Sequence, residues 1–125
     1  KRLKKAIYEK YREAFSDLDE VRMNPLNPEG DANCWLSCMT IAEGSKVTKD
    51  MVLDALEKEN IEARPIWKPM HLQPVFADCD FITLCEGGKS LSEDIFDRGL
   101  CLPSDIKNTD EDMERIIRII RELFV

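Results

Sequence analysis

The sequence predicts a two-layer α/β sandwich, a small mixed or antiparallel sheet with helices packed on one face. Three observations lead there. Apolar residues recur at helical spacing in separate stretches, short apolar runs lie between them, and clusters of Pro, Gly and Asn divide the two kinds of segment. The 125 residues suit one domain and can bury a real core. They contain no internal repeat and no low-complexity tract.

The first helix is predicted over residues 3–18, where Leu3, Ile7, Tyr11, Ala14, Phe15 and Leu18 form one apolar stripe on a charged rod. That stripe must pack on this chain or on another domain. Pro25, Asn27, Pro28, Gly30 and Asp31 then make a loop. Residues 33–41 carry no breaker and read as a central strand, ended by Glu43-Gly44-Ser45. Thr48 is placed to cap a second helix, with Asp50 in its first turn and Met51, Val52, Ala55 and Leu56 on its apolar face. Residues 61–67 read as a second strand, which Pro65 confines to an edge or to its own exit. Pro69 and Pro74 make residues 69–76 a shaped loop with at most one short turn. Residues 79–85 are apolar but irregular. Ser90 and Glu93 have capping-box spacing and open a short helix that Gly99 stops. Leu100-Cys101-Leu102 is a strand ended by Pro103. Thr109 caps the last helix, whose buried stripe is predicted as Met113, Ile116, Ile117, Ile120 and Leu123.

The bulk composition narrows the function. A net charge of −7 argues against a nucleic-acid partner, which needs a basic stripe to meet phosphates. No run approaches the ~18 apolar residues of a membrane span. Lys-Arg-Leu-Lys-Lys at the start lacks the apolar stretch of a signal peptide, and Lys1 in place of Met fits a fragment or a processed product. The expected location is therefore the cytoplasm. There Cys34, Cys38, Cys79, Cys85 and Cys101 should stay reduced, as small buried hydrophobes rather than zinc ligands, for no CxxC pair is present. Gly87-Gly88-Lys89-Ser90 lacks the upstream glycine of a phosphate-binding loop and reads as a loop into a capped helix.

One segment stands out. Arg64-Pro65-Ile66-Trp67-Lys68-Pro69-Met70-His71 sets two cations, a tryptophan and the only histidine among rigid prolines. The cations suit a phosphate or diphosphate, and the indole offers a flat face to a base or sugar. An exposed edge loop with ordinary surface charges accounts for it as well. A stand-alone interaction module that docks through its first helix, and a thiol enzyme pairing His71 with a cysteine, are the rival readings.

Residues 62–76, from Glu62-Ala63-Arg64 to Pro74-Val75-Phe76, resemble a segment of the DegT/DnrJ/EryC1/StrS family of sugar aminotransferases. So do Asp97-Arg98-Gly99-Leu100-Cys101-Leu102-Pro103-Ser104, the preceding Ser92-Glu93-Asp94, and Asn108-Thr109-Asp110-Glu111-Asp112. The resemblance implies the C-terminal small domain of a fold-type I aminotransferase: residues 1–20 as an interdomain helix, residues 21–125 as the small domain, and the catalytic large domain absent. It implies pyridoxal phosphate in the parent enzyme but none bound to this fragment, which alone should be inactive. The implied parent is a homodimer that aminates a nucleotide-linked 4-keto-6-deoxy sugar, with glutamate as donor, in polysaccharide or glycan biosynthesis. The Trp-Lys-Pro-Met-His version is similar to members acting on UDP-linked N-acetylhexosamines. Trp67, Lys68, His71 and Arg64 are the implied substrate-side residues, and Lys68 is not the cofactor lysine. The region around Trp35 lacks the histidine of the family's commoner Trp-His-x-Tyr pattern. The face meeting the large domain is expected to be exposed and apolar.

Overall fold

The structure is a computed structural model and describes residues 1–84 and 87–125. Helix α1 (Arg2–Ala14) leads to strand β1 (Val21–Met23), then β2 (Ser37–Ile41), α2 (Lys49–Lys58) and β3 (Arg64–Pro65). Two short 3-10 turns, Met70–Leu72 and Pro74–Phe76, precede α3 (Leu91–Arg98), β4 (Gly99–Leu102) and α4 (Asp110–Arg121), and a last 3-10 turn, Glu122–Phe124, closes the fold. The sheet order is β1-β2-β4-β3, and every pairing is antiparallel.

Strand alternation decides what each face does. Met39 and Ile41 of β2 and Leu100 and Leu102 of β4 point into one core. There they meet Ile7 and Tyr11 of α1, Val52 and Leu56 of α2, and Met113, Ile116 and Ile120 of α4. Each fully buried Leu or Ile contributes about 1.5–3 kcal/mol relative to exposure. From Ile7 onward the stripe is thus covered by this chain itself, while Leu3 stays exposed. Tyr11 is fully buried, its hydroxyl donates to the Pro103 carbonyl at 2.8 Å, and burial pushes its pKa well above the ordinary tyrosine value.

Capping follows the sequence closely. Thr48 Oγ1 accepts from the Met51 amide, and both halves of a capping box are present at Ser90/Glu93 and at Thr109/Asp112. Lys89 pairs with Asp97, so the Gly87-Gly88-Lys89-Ser90 stretch serves helix entry.

Several expectations need correction. The strand predicted over 33–41 begins only at Ser37, because the Asn33 side chain accepts from the Trp35 amide and Cys34 takes a left-handed φ of 50°. The strand predicted over 61–67 shrinks to Arg64–Pro65, since Pro65 has no amide to extend the ladder. Strand β1, at three residues, is too short to show a period in the sequence. The first helix stops at Ala14 rather than Leu18, although Phe15 still reaches the core. Residues 69–76 hold two turns instead of one, and Ile119 takes the buried place predicted for Ile117. Cys34 and Cys101 are buried as expected, but Cys38 is half-buried, Cys79 is exposed, and Cys85 lies outside the described residues.

Gly99 marks the point where α3 passes straight into β4. A Cβ there would lie 2.4 Å from the Ile95 carbonyl oxygen and 2.7 Å from Ile66 Cγ1. Gly99→Ala is therefore expected to destabilise the fold by about 1–3 kcal/mol through overpacking, read from the urea midpoint; an unchanged midpoint would refute the close approach. Arg121 ties α4 to the end of α1 by donating to the Ala14 carbonyl and to Asp17. Hydrogen bonding from Arg121 lowers the Asp17 pKa from 3.8 to about 2. A depressed carboxylate adds stability that is complete above its unfolded value and disappears as pH falls from that value through the folded one. Asp17→Asn should flatten the acid limb of the stability profile between roughly pH 4 and 2, measured by urea titration at stepped pH.

Candidate functional site

The turn at Asn33-Cys34 does more than shorten β2. It sends Trp35 outward, where its ring meets that of Trp67 at a centroid distance of 6.0 Å and a tilt of 34°. A left-handed backbone at a residue other than glycine costs on the order of 1 kcal/mol, so the placement of Trp35 is held at a cost. Trp67 arrives from the opposite side, just after edge strand β3 and directly before Lys68-Pro69. Both indoles remain about 60% exposed.

Below and between them lies an open groove of about 620 Å³, large enough for a drug-sized ligand. Pro65 and Pro103 form its apolar walls, and Cys101 reaches it from the outer face of β4. Its charged groups are Arg64 and Glu62, which are bonded to each other: Arg64 Nε donates to Glu62 Oε1 at 2.7 Å. The groove therefore offers stacking surface and shape, with its charge balanced internally.

The four residues expected on the substrate side do not converge. Arg64 and Trp67 line the groove. Lys68 is exposed, its backbone carbonyl accepting from Gln73 Nε2. His71 sits in the first 3-10 turn, which aims its ring at the start of α3. It stacks on Phe81 at 3.7 Å, and its buried Nε2, without a hydrogen-bond partner among the described residues, lies 3.6 Å from Glu93 Oε1. Glu93 in turn accepts from the Ser90 amide, and its hydrogen bonds with Ser90 keep its carboxyl below the usual range. Among the described residues no His/Cys/Asp/Glu cluster could hold a metal ion, and no helix is long and apolar enough to cross a membrane.

Trp35 is the groove residue whose position the sequence did not disclose, since it was read as part of a strand. Its signal was local, an Asn two residues upstream able to form an Asx turn. The loop between β3 and α3 leaves Met70, Val75, Phe81, Ile82 and Leu84 exposed.

The fold is a four-stranded antiparallel sheet with helices over one face and an aromatic groove beside its edge. The profile described as the DegT/DnrJ/EryC1/StrS aminotransferase family matches residues 1–121. EpsN of Bacillus subtilis (strain 168), named as a pyridoxal phosphate-dependent aminotransferase, is 38% identical over 121 residues, covering 97% of this chain and 30% of that protein. GDP-perosamine synthase of Caulobacter vibrioides is 30% identical over 91 residues, 73% of this chain and 23% of the relative. Among solved structures, DesV of S. venezuelae superposes with a TM-score of 0.79 at 20% identity, over 96% of this chain and 30% of DesV. The chain belongs to the DegT/DnrJ/EryC1/StrS aminotransferase family. It spans about 30% of the length of its relative EpsN.

Enzymes of this family depend on pyridoxal phosphate. The residues of this groove do not fit that group. No lysine lines it to meet an aldehyde, and its carboxylate, Glu62, is engaged by Arg64.

The chain contains two tryptophans, and both stand at this groove. Their closeness should give a coupled near-UV circular dichroism couplet. Trp35→Phe and Trp67→Phe are each expected to abolish it completely, whereas rings that do not meet would leave each variant with half of the parent signal.

Proposed function

We propose that this chain is the small domain of a nucleotide-sugar aminotransferase and that its paired-tryptophan groove faces the sugar nucleotide. The lysine-bearing large domain of the parent would hold the cofactor. The observation carrying this reading is the groove itself: two exposed indoles 6.0 Å apart, with Arg64 at the rim, in a chain that belongs to a family of sugar aminotransferases. The relative named GDP-perosamine synthase supports a nucleotide-linked sugar as the substrate class. Within that class we assign a 4-keto-6-deoxy sugar as acceptor and glutamate as donor. Trp67 would stack on the base or sugar, with Arg64 and Lys68 meeting the diphosphate.

His71 would act from the adjoining loop. Its Nε2 faces Glu93 but has no hydrogen-bond partner among the described residues, and would take a group brought by the large domain or the substrate. The exposed apolar side chains Met70, Val75, Ile82 and Leu84 would be covered by the large domain. The first helix would cross between the two domains. The interaction-module reading loses its motive, because Ile7, Tyr11 and Phe15 are spent inside this chain's own core.

When bound in the parent, pyridoxal phosphate supplies the electron sink for amino transfer. This chain's part is to bind and orient the nucleotide sugar and to exclude water. The reading is tested in the complete enzyme, with UDP- and dTDP-linked 4-keto-6-deoxy sugars as acceptors and glutamate as donor. Trp67→Ala should weaken the apparent affinity for the sugar nucleotide about 5- to 150-fold, the equivalent of about 1–3 kcal/mol of lost stacking. The 125-residue chain alone should show no turnover. Unchanged affinity in Trp67→Ala, or turnover by the isolated chain, would overturn the proposal.

A further inference from the structure

The outer face of the sheet carries a feature that amino transfer does not use. Cys38 and Cys101 are direct partners across β2 and β4, and their sulfurs lie 3.6 Å apart. Both are free thiols.

Backbone geometry tells which kind of cross-strand pair this is. The Cys38 amide donates to Asn24 Oδ1, and its carbonyl accepts from the Asn24 amide, both at 2.9 Å. Its two backbone groups are thus turned toward β1 and away from β4. Cys101 pairs on its other side with Arg64 of β3. Cys38 and Cys101 therefore occupy a non-hydrogen-bonded site of the antiparallel ladder, where α-carbons approach to about 4.5 Å. A disulfide spans α-carbons about 4.4–6.8 Å apart, so the two sulfurs can close from 3.6 Å by side-chain rotation without moving either strand.

The setting also separates the roles of the two thiols. Cys38 is half-buried and Cys101 is buried, but Cys101 lines the tryptophan groove, through which a small reagent can approach the pair. With the Cys38 thiol donating to Cys101, that hydrogen bond holds the Cys101 pKa below the ordinary thiol value and pushes that of Cys38 above it. Cys101 is the sulfur suited to attack, and Cys38 the one suited to resolve.

We propose that Cys38 and Cys101 form a redox-responsive dithiol, closed to a cross-strand disulfide by a small disulfide oxidant of the glutathione type and reopened by excess thiol. The Cys101 thiolate attacks one sulfur of oxidised glutathione, breaking its S–S bond, forming a mixed disulfide and releasing one glutathione thiolate. The Cys38 thiol gives up its proton to solvent and its sulfur attacks Cys101 Sγ. The protein disulfide forms and the second glutathione leaves. Two protein thiols are oxidised, one glutathione disulfide is reduced, and the two protons end on the two released thiols. The product pins the two central strands together at the floor of the groove. This proposal does not depend on the aminotransferase reading, because it rests on strand pairing alone.

The native chain is incubated with oxidised glutathione, alkylated with iodoacetamide, and mapped by non-reducing peptide mass spectrometry. The expected result is loss of two free thiols and a dominant Cys38–Cys101 peptide in the monomer, with Cys34 and Cys79 still alkylated. The map is repeated in denaturant, where five cysteines compete without strand pairing and the Cys38–Cys101 link should lose its dominance. Tryptophan emission should fall on oxidation and return on adding dithiothreitol, since the bridge forms beside both indoles. Cys38→Ser should stop at a mixed disulfide on Cys101; should that variant fail to fold, the parent map decides. Recovery of Cys38 and Cys101 as free thiols while Cys79 is modified, a dominant bridge between any other pair, or equal linkage in denaturant would each overturn the proposal.

Discussion

The pairing of β2 with β4 is the constraint on which the remaining structure depends. Its register aligns Ser37 with Leu102, Cys38 with Cys101 and Met39 with Leu100. Because strand side chains alternate, that register sends Met39, Leu100 and Leu102 to the helices and Cys38 and Cys101 to the opposite face. A one-residue slip would exchange the two sets and move the leucines out of the core. The cost of exposing them, about 1.5–3 kcal/mol each, enforces the register. The core thus aligns the thiols, and the groove floor follows from the same alignment.

Helices α1, α2 and α4 use this frame in different ways. Tyr11 sits with its ring in the core and its hydroxyl on the Pro103 carbonyl, so α1 reports on the exit of β4. Lys4 of the same helix reaches the Ser104 carbonyl one residue beyond that contact. Ser104 Oγ accepts from the Ser37 amide and donates to the Leu102 carbonyl, closing the end of the central ladder where Pro103 cannot. A short segment, Leu102-Pro103-Ser104, thereby joins the first helix, both central strands and the groove wall.

How much of this was readable beforehand depended on how far each signal extends along the chain. Helical stripes and caps are written within four residues of one another, and Thr48, Ser90/Glu93 and Thr109/Asp112 all act where the sequence put them. Strands of two to five residues hold too little period to be bounded. Strand β1 exists only because β2 offers it an edge. The groove was half legible. Trp67 stood out among rigid prolines, but its partner Trp35 comes from a distant turn, and nothing local shows that the two meet. The proline-rich stretch also misled, for its 3-10 turn carries His71 away from the indoles to Phe81 and Glu93. The Cys38–Cys101 pair, 63 residues apart in sequence, could not be seen without the register.

The electrostatics of the groove bear on how a sugar nucleotide could be taken. The chain is acidic overall, and Arg64 already holds the carboxylate of Glu62. A diphosphate arriving there would exchange one anion for another on the same guanidinium. Phosphate oxygens can fill the planar fork of arginine in bidentate fashion, whereas Nε and Nη2 of Arg64 both reach a single oxygen of Glu62. Since both partners are well exposed, the existing ion pair is worth little and is easily given up. The indoles carry no charge to be exchanged, so their stacking faces are open to a base or sugar from the start.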